Sequence, residues 1–294
     1  MCIFLSKKSA CCLLVFAAVL GGGCEGREPA SQELYRAVDK VYADVMSGAE
    51  NFEVIAEIDH SRLAMEEGEV MSPARVVIFS DPAVNTPVLE LEPMAGLDLP
   101  FRVLAYAEGD TPRVIHTSAE FLVHRHGLSD GPALDRYRTS LDAALAAVPK
   151  QERVVIDVSN LAAGQGIHEL DSRYGFSESI ARLKEAILAE GDTLWFGEID
   201  YQAEAAALGV ELPALTLLLF GAPGPGAKAM AEYPRMGLDA FCQKVLVYQQ
   251  PDGKVKAYFN EMPAFAELHH GSVALPHRVI NRRMTATLAG AVEE

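Results

Sequence analysis

Residues 57–98 open on Glu57-Ile58-Asp59-His60 and close on Gly96-Leu97-Asp98, and 141 residues further on the chain repeats itself. Glu57-Ile58-Asp59 falls on Glu198-Ile199-Asp200, Ala64 on Ala205, Gly68 on Gly209, Phe79 and Pro82 on Phe220 and Pro223, Pro93 on Pro234, and Gly96-Leu97-Asp98 on Gly237-Leu238-Asp239. That makes 11 identities in 42 ungapped positions, where unrelated chains of ordinary composition give roughly two or three. Turn formers and charges are among them, which shared hydrophobicity alone does not produce. One inserted residue later, Val103-Leu104 and Tyr106 meet Val245-Leu246 and Tyr248, and His126-Gly127 later meets His270-Gly271. The chain is an internal duplication.

Both copies spell the same elements. Leu34, Val38, Val41, Tyr42 and Val45 form one apolar stripe and predict a helix over 31–47; 177–190 matches it, with Ser177 as N-cap. Strands are expected at 52–58 and 194–199, each followed by a short helix capped by Asp59 or Asp200 and ended by Gly68 or Gly209. Buried strands follow at 75–79 and 215–220, then a Pro-rich loop and short helix, then strands at 101–107 and 242–249 and at 113–116 and 254–259. Helices ending at His126-Gly127 and His270-Gly271 and a last helix in each copy (133–147 and 277–289) complete the pattern. Strands and helices do not alternate strictly, so the fold class is α+β with mainly antiparallel sheets. The second copy has an extra strand at 166–171, and Arg153 to Val158 is expected to fill the matching edge of the first sheet. The expected boundaries are 1–23 for a signal peptide, 24–30 for a linker, 31–160 for the first repeat domain and 161–294 for the second. Each repeat is expected to bury its own apolar interior, and the pair to pack about a pseudo-two-fold axis.

The 294 residues are 50% hydrophobic and 22% charged, an ordinary globular balance, and their net charge is −16. That sign disfavours unspecific binding to nucleic acid or anionic lipid. Lys7-Lys8, an apolar run from Ala10 to Leu20 and Gly21-Gly22-Gly23-Cys24 have the order of a secretory signal, and the ending resembles a bacterial lipobox with Gly21 in place of the usual Leu. Cys24 is then the lipidated N-terminus, a membrane anchor, and Glu25 after it points to the outer membrane, facing the periplasm; an ordinary signal peptide with a chance cysteine is the alternative. Removing Cys2, Cys11 and Cys12 and lipidating Cys24 leaves Cys242 alone, which rules out a structural disulfide and reads as a buried inert thiol.

Glu57-Ile58-Asp59-His60, the loop Phe79-Ser80-Asp81-Pro82 with Asn85-Thr86-Pro87, Leu97-Asp98-Leu99-Pro100 and His126-Gly127-Leu128 together resemble the domain of unknown function numbered 302. The resemblance covers nearly all of 31–148 and 167–290. The second copy departs from it at Tyr201, Ala222 and Ala240-Phe241. It implies a compact α/β sandwich of TATA-binding-protein-like architecture and no established reaction.

Asp59 beside His60 at a helix start could perform acid–base chemistry, with Ser80, Asp81 and Asn85 on the adjoining loop. The plainer reading makes Asp59 an N-cap, as Asp200 is without a histidine. Candidate ligand-binding residues are His60, Asp81, Asn85, Asp98 and His126. His124 and His126 point to different sides of a helix end, so no metal site is expected. Gly221 to Lys228 has the outline of a phosphate loop, but Ala227 precedes Lys228 and Ala229 follows it, which makes it a turn. No cofactor is expected. The leading expectation is a non-enzymatic envelope lipoprotein that binds a small-molecule or peptide-like ligand or scaffolds an envelope protein partner, with one working copy and one supporting copy. An enzyme centred on Asp59 and His60 is the alternative.

Overall fold

The computed structural model describes residues 30–293. The segment expected to be a signal peptide, and Cys24, lie outside the described residues. The fold is α+β and duplicated. In the first copy, α1 (Gln32–Gly48) leads into β1 (Glu53–Asp59), α2 (His60–Glu66), β2 (Ala74–Ser80), α3 (Pro82–Leu91), a 3-10 turn (Pro93–Leu97), β3 (Phe101–Glu108), β4 (Thr111–His116), α4 (Ala119–His126) and α5 (Pro132–Ala144). After β5 (Arg153–Val154) and β6 (Ile167–Ser172) the order returns: α6 (Phe176–Ala189), β7 (Leu194–Asp200), α7 (Tyr201–Ala207), β8 (Leu215–Gly221), α8 (Pro223–Met230), a 3-10 turn (Pro234–Gly237), β9 (Gln243–Gln249), β10 (Val255–Asn260), α9 (Met262–His270) and α10 (Leu275–Val292).

Two five-stranded sheets result, in orders β1-β2-β3-β4-β5 and β6-β10-β9-β8-β7. Asp59 and Asp200 cap α2 and α7 through the amides of Arg62 and Ala203. Gly127 and Gly271 end α4 and α9 in the left-handed conformation, at φ 63° and 64°. A bulge interrupts β1 between Val54 and Ala56 and β7 between Trp195 and Gly197, the same place in both copies.

Three local expectations change. Helix α6 is preceded by Gly175, so Ser177 lies inside its first turn rather than capping it. The Pro-rich loop is helical from Pro82, which sits at a position where no N–H is needed. Pro87 lies within α3 and cannot donate to the Ala83 carbonyl; Arg136 Nη1 does so instead at 3.1 Å. The strand expected from Arg153 to Val158 pairs only at Arg153 and Val154, parallel to β4, whereas β6 runs antiparallel to β10. The edge place is filled, but the chain reaches it from the opposite direction, and Val155 is 76% exposed beyond the ladder.

A larger correction concerns the core. Each sheet carries helices on one face: α1 and α5 on the first, α6 and α10 on the second. The opposite faces are apolar too. Val76, Ile78, Leu104 and Tyr106 of the first copy share one continuous buried cluster with Leu217, Leu219, Leu246 and Tyr248 of the second. Their sequence neighbours Leu218, Phe220, Val245 and Val247 face the other way into a separate cluster, as the two-residue side-chain period requires. Only the helix side of the second sheet keeps an interior of its own. The strands alternate between two buried faces, so the sequence shows uninterrupted apolar runs.

Candidate functional site

The contacts between the copies are reciprocal. Helix α2 packs on α8 and α3 on α7; the first 3-10 turn lies on β8 and β9, and the second on β2 and β3. His60 Nε2 lies 3.1 Å from the carbonyl oxygen of Gly237, and the Tyr201 hydroxyl donates to that of Gly96 at 3.1 Å. Tyr201 occupies the place of His60, and Gly96 that of Gly237, under the 141-residue shift. His60 is thus one half of a two-sided clasp. Burial holds its imidazole neutral, with a pKa down at about 4 despite the Gly237 carbonyl and nearby Asp59. The small cleft beside it, about 20 Å³, is otherwise lined by apolar residues such as Ile58, Leu63, Phe196 and Met230.

Asp59 has a different task. Its Oδ1 accepts from the Arg62 amide at 2.9 Å and the Ser61 hydroxyl at 2.8 Å, and its Oδ2 pairs with Arg75 at 3.2 Å and with Arg62. Asp81 caps α3 through the Ala83 amide, and buried Asn85 Nδ2 donates to Ser80 Oγ at 2.8 Å. Because α2 meets α8, His60 faces Ala222 and Gly226, which stand where Asp81 and Asn85 stand in the first copy. The acid–base set of Asp59, His60, Ser80, Asp81 and Asn85 is not brought together.

Asp98 and His126 do meet, in a buried ionic cluster between the copies. His126 Nε2 lies 2.8 Å from Asp98 Oδ2, which also accepts from Arg125. Arg102 Nη2 donates to the Asp98 carbonyl at 2.7 Å, and Lys244 Nζ from the other copy reaches Asp98 Oδ1 at 3.3 Å. Arg125 also donates to the Gln165 and Gly166 carbonyls and to Asn260 Oδ1. Asp239, the counterpart of Asp98, is held more loosely: His269 Nε2 at 3.1 Å, with Arg102 and Lys244 at 3.7 and 3.8 Å from an Oδ1 that makes no hydrogen bond. Burial alone raises a carboxyl pKa, but Arg125, Lys244 and His126 hold Asp98 well below the ordinary range. Burial, with repulsion from Arg102, brings Lys244 down to about 7 against the pull of Asp98 and Asp239. Asp98, Arg102, Arg125, Asp239 and Lys244 are each at most 1% exposed. The sequence reading found Asp98 and His126 but missed Arg102, Arg125, Asp239, Lys244 and His269, although Asp239 was the visible repeat of Asp98.

A family model described as domain of unknown function DUF302 matches residues 30–148 and 168–291. The chain belongs to the DUF302 family. A crystal structure of an uncharacterized conserved DUF302 protein from Bacillus stearothermophilus is similar at 19% identity and a TM-score of 0.39, over 43% of this chain and 98% of that one. No curated protein matches the chain.

The two DUF302 copies differ under their outer helices. In the first, Phe52, Phe79, Phe101 and Tyr137 stack into a quartet with ring centroids 4.6–5.6 Å apart. The repeat puts Thr193 at the place of Phe52 and Phe220 at that of Phe79. Phe79 pairs with Phe101 across the sheet as Phe220 pairs with Gln243, so Gln243 replaces Phe101. On the last helix, Leu134, Tyr137 and Leu141 have the same spacing as His277, Ile280 and Met284, which sets Ile280 at the place of Tyr137. Three of four rings are lost, and Thr193, Phe220, Gln243 and Ile280 all line a cleft of about 40 Å³ with Ile187, Met284 and Leu288. Gln243 is buried and lines this cleft. Arg283 stands at the mouth, paired with Glu190 and Asp192, and Thr287 donates to Glu190. Pro225 and Ile280 also line a separate groove of about 570 Å³ between α8 and α10, within the range of small-ligand sites. In the first copy Arg136 bridges α5 to α3 at the matching place. Sequence reasoning missed this site; setting the two copies side by side at 52, 101 and 137 was the signal that could have found it.

Proposed function

We propose that this DUF302 chain is a non-catalytic ligand-binding lipoprotein of the bacterial envelope, with the second copy as receptor and the first as filled support. One observation carries the reading: three rings of the aromatic quartet that plugs the first copy give way to Thr193, Gln243 and Ile280, which leave a mostly apolar cleft with Glu190, Arg283 and Thr287 also on its wall. Concave, mostly apolar sites with few polar groups are the usual form of small-molecule pockets. Acid–base catalysis gains nothing from the geometry, since Asp59 and His60 serve separate contacts.

The test is to refill the cleft. Thr193→Phe, Gln243→Phe and Ile280→Tyr together restore the first copy's quartet, and filling a cavity adds about 0.5–2 kcal/mol of stability. Native mass spectrometry of the protein without residues 1–23, purified from its own envelope, is expected to show a retained small molecule in the wild type and none in the filled variant. A bare mass for both favours scaffolding and ends the reading. The membrane address is proposed from Lys7-Lys8, the apolar run and Gly21-Gly22-Gly23-Cys24. Fatty-acid labelling that persists in Cys24→Ala would overturn the anchor, and fractionation of the labelled protein checks its placement in the outer membrane.

A further inference from the structure

The ionic cluster between the copies does not balance. Asp98 and Asp239 supply two negative charges, and Arg102, Arg125 and Lys244 supply three positive ones, all fully buried. The neighbours do not make up the difference. Burial pushes the Cys242 thiol up to about 12 and keeps it neutral. It also keeps the Tyr137 and Tyr201 hydroxyls protonated, and they donate to the Thr117 and Gly96 carbonyls. Asn260, from β10, is neutral and accepts from Arg125. His126 and His269 each set Nε2 against a carboxylate, and a proton gained by either only enlarges the excess. Arg102 Nε and Nη1 are buried with no hydrogen-bond partner among the described residues.

An uncompensated charge is costly at full burial, and a group that can shed it does so. Arginine keeps its proton in proteins; buried lysine gives it up. The inserted residue that sets Val103-Leu104 on Val245-Leu246 also sets Arg102 on Lys244. Each of this pair approaches the other copy's carboxylate, Arg102 at 3.7 Å from Asp239 and Lys244 at 3.3 Å from Asp98. The second copy thus holds a titratable cation where the first holds a permanent one. We propose that Lys244 is a proton switch on the contact between the copies. Neutral, it leaves the five buried residues without net charge and the copies closed on one another; charged, it leaves one positive charge in excess and loosens them. Burial and repulsion from Arg102, which bring Lys244 down to about 7, set the switch close to neutrality.

Residues 24–294 with Cys24→Ala carry Cys242 as their one thiol. It is buried in the shared core, so its labelling by iodoacetamide reports the opening of that core. Once opened, Lys244 regains an ordinary pKa of about 10.4. The labelling rate, divided at each pH by that of the same protein with Lys244→Met, is therefore expected to fall more than tenfold from pH 7 to 9; a flat ratio overturns the proposal. Carbon NMR at the lysine Cε, which tells ammonium from amine, is expected to give Lys244 a midpoint of about 7. Arg102→Met should raise that midpoint by at least one pH unit, because with one cation removed the cluster balances with Lys244 charged. A Lys244 that stays ammonium at pH 9, or a midpoint unmoved by Arg102→Met, defeats the switch. So does a midpoint that follows chloride concentration, which would make a bound anion the missing charge. Should Arg102→Met fail to fold, as judged by circular dichroism, Asp239→Asn takes its place and is expected to lower the midpoint, with no change counting against the proposal.

Discussion

Removing one charge from the buried cluster should show how unequally the two copies hold it. Asp98→Asn keeps the shape of the side chain and deletes its charge. Arg125, His126 and Lys244 all converge on that carboxylate, and the neutral amide cannot accept from all of them. Leaving buried cations without their partner costs about 3–5 kcal/mol. Asp239→Asn removes one hydrogen bond, from His269, and two contacts at 3.7–3.8 Å to an Oδ1 that is already without a hydrogen bond. Losing a single bond to a charged group costs about 1–3 kcal/mol. Urea unfolding of both variants by circular dichroism should therefore rank Asp98→Asn as clearly the more damaging. With a melting shift of roughly 2–4 °C per kcal/mol for a chain of this size, the first variant should melt at least about 6 °C below the wild type. Equal losses, or a larger loss at Asp239, would show that the cluster works as one symmetric unit and that the distances do not set its energy.

Acid should weaken the clasp before it reaches the carboxylates. His60 is neutral in the folded state down to about 4 and protonates near 6.5 when unfolded, so its share of stability is present above pH 6.5 and is lost as pH falls toward 4, by on the order of 3 kcal/mol; His60→Gln should flatten that window in pH-dependent melts, and an unchanged slope would sink the assignment. Lys244 titrates at about 7 folded but near 10.4 unfolded. The unfolded state binds more protons in that interval, so stability should rise from pH 7 to 10, and Lys244→Met should remove the rise. Residues 161–294 expressed alone should aggregate, because Leu215, Leu217, Leu219 and Leu246 are buried against the other copy; a soluble, cooperatively melting fragment would contradict the shared core. Gly237→Ala should cost about 1–3 kcal/mol by overpacking, since a Cβ there falls 2.8 Å from Met230 Cε and 3.0 Å from His60 Cδ2.

Much of the fold was legible because it was written twice. The identities at Asp59, Gly68, Pro82 and Asp98 mark caps and turns, which backbone geometry restricts to few residue types, and the elements lie close to where the pattern put them. The shared core was not legible. A strand buried on one face by its own helices and on the other by its own second layer reads the same as one buried against a second copy, so Leu217 and Leu219 do not say whose interior they join. The parallel entry of Arg153 and Val154 was hidden for a related reason: composition marks a strand but not its direction. Among the candidate residues, Asp98 and His126 stood out as polar members of turn and cap motifs. Their partners Arg102 and Lys244 did not, because a charge within an apolar run gives no sign of which distant carboxylate answers it.

Duplication also explains why the best candidate site avoids those motifs. Asp59 and Asp200 cap helices, and Asp98 and Asp239 lie in the ionic cluster between the copies, so both copies keep them. A position free to change in one copy is one whose partner already supplies support. Phe52, Phe101 and Tyr137 fill the first copy with rings; once that unit and the shared interface are stable, the second can trade its rings for Thr193, Gln243 and Ile280. Opening such a cavity costs about 2–5 kcal/mol for each large side chain lost, which a single small domain with 5–15 kcal/mol in hand tolerates poorly. A duplicated chain with a continuous core spreads that loss over both halves. Function in this fold is therefore to be sought where the repeats disagree about volume rather than where they agree about sequence.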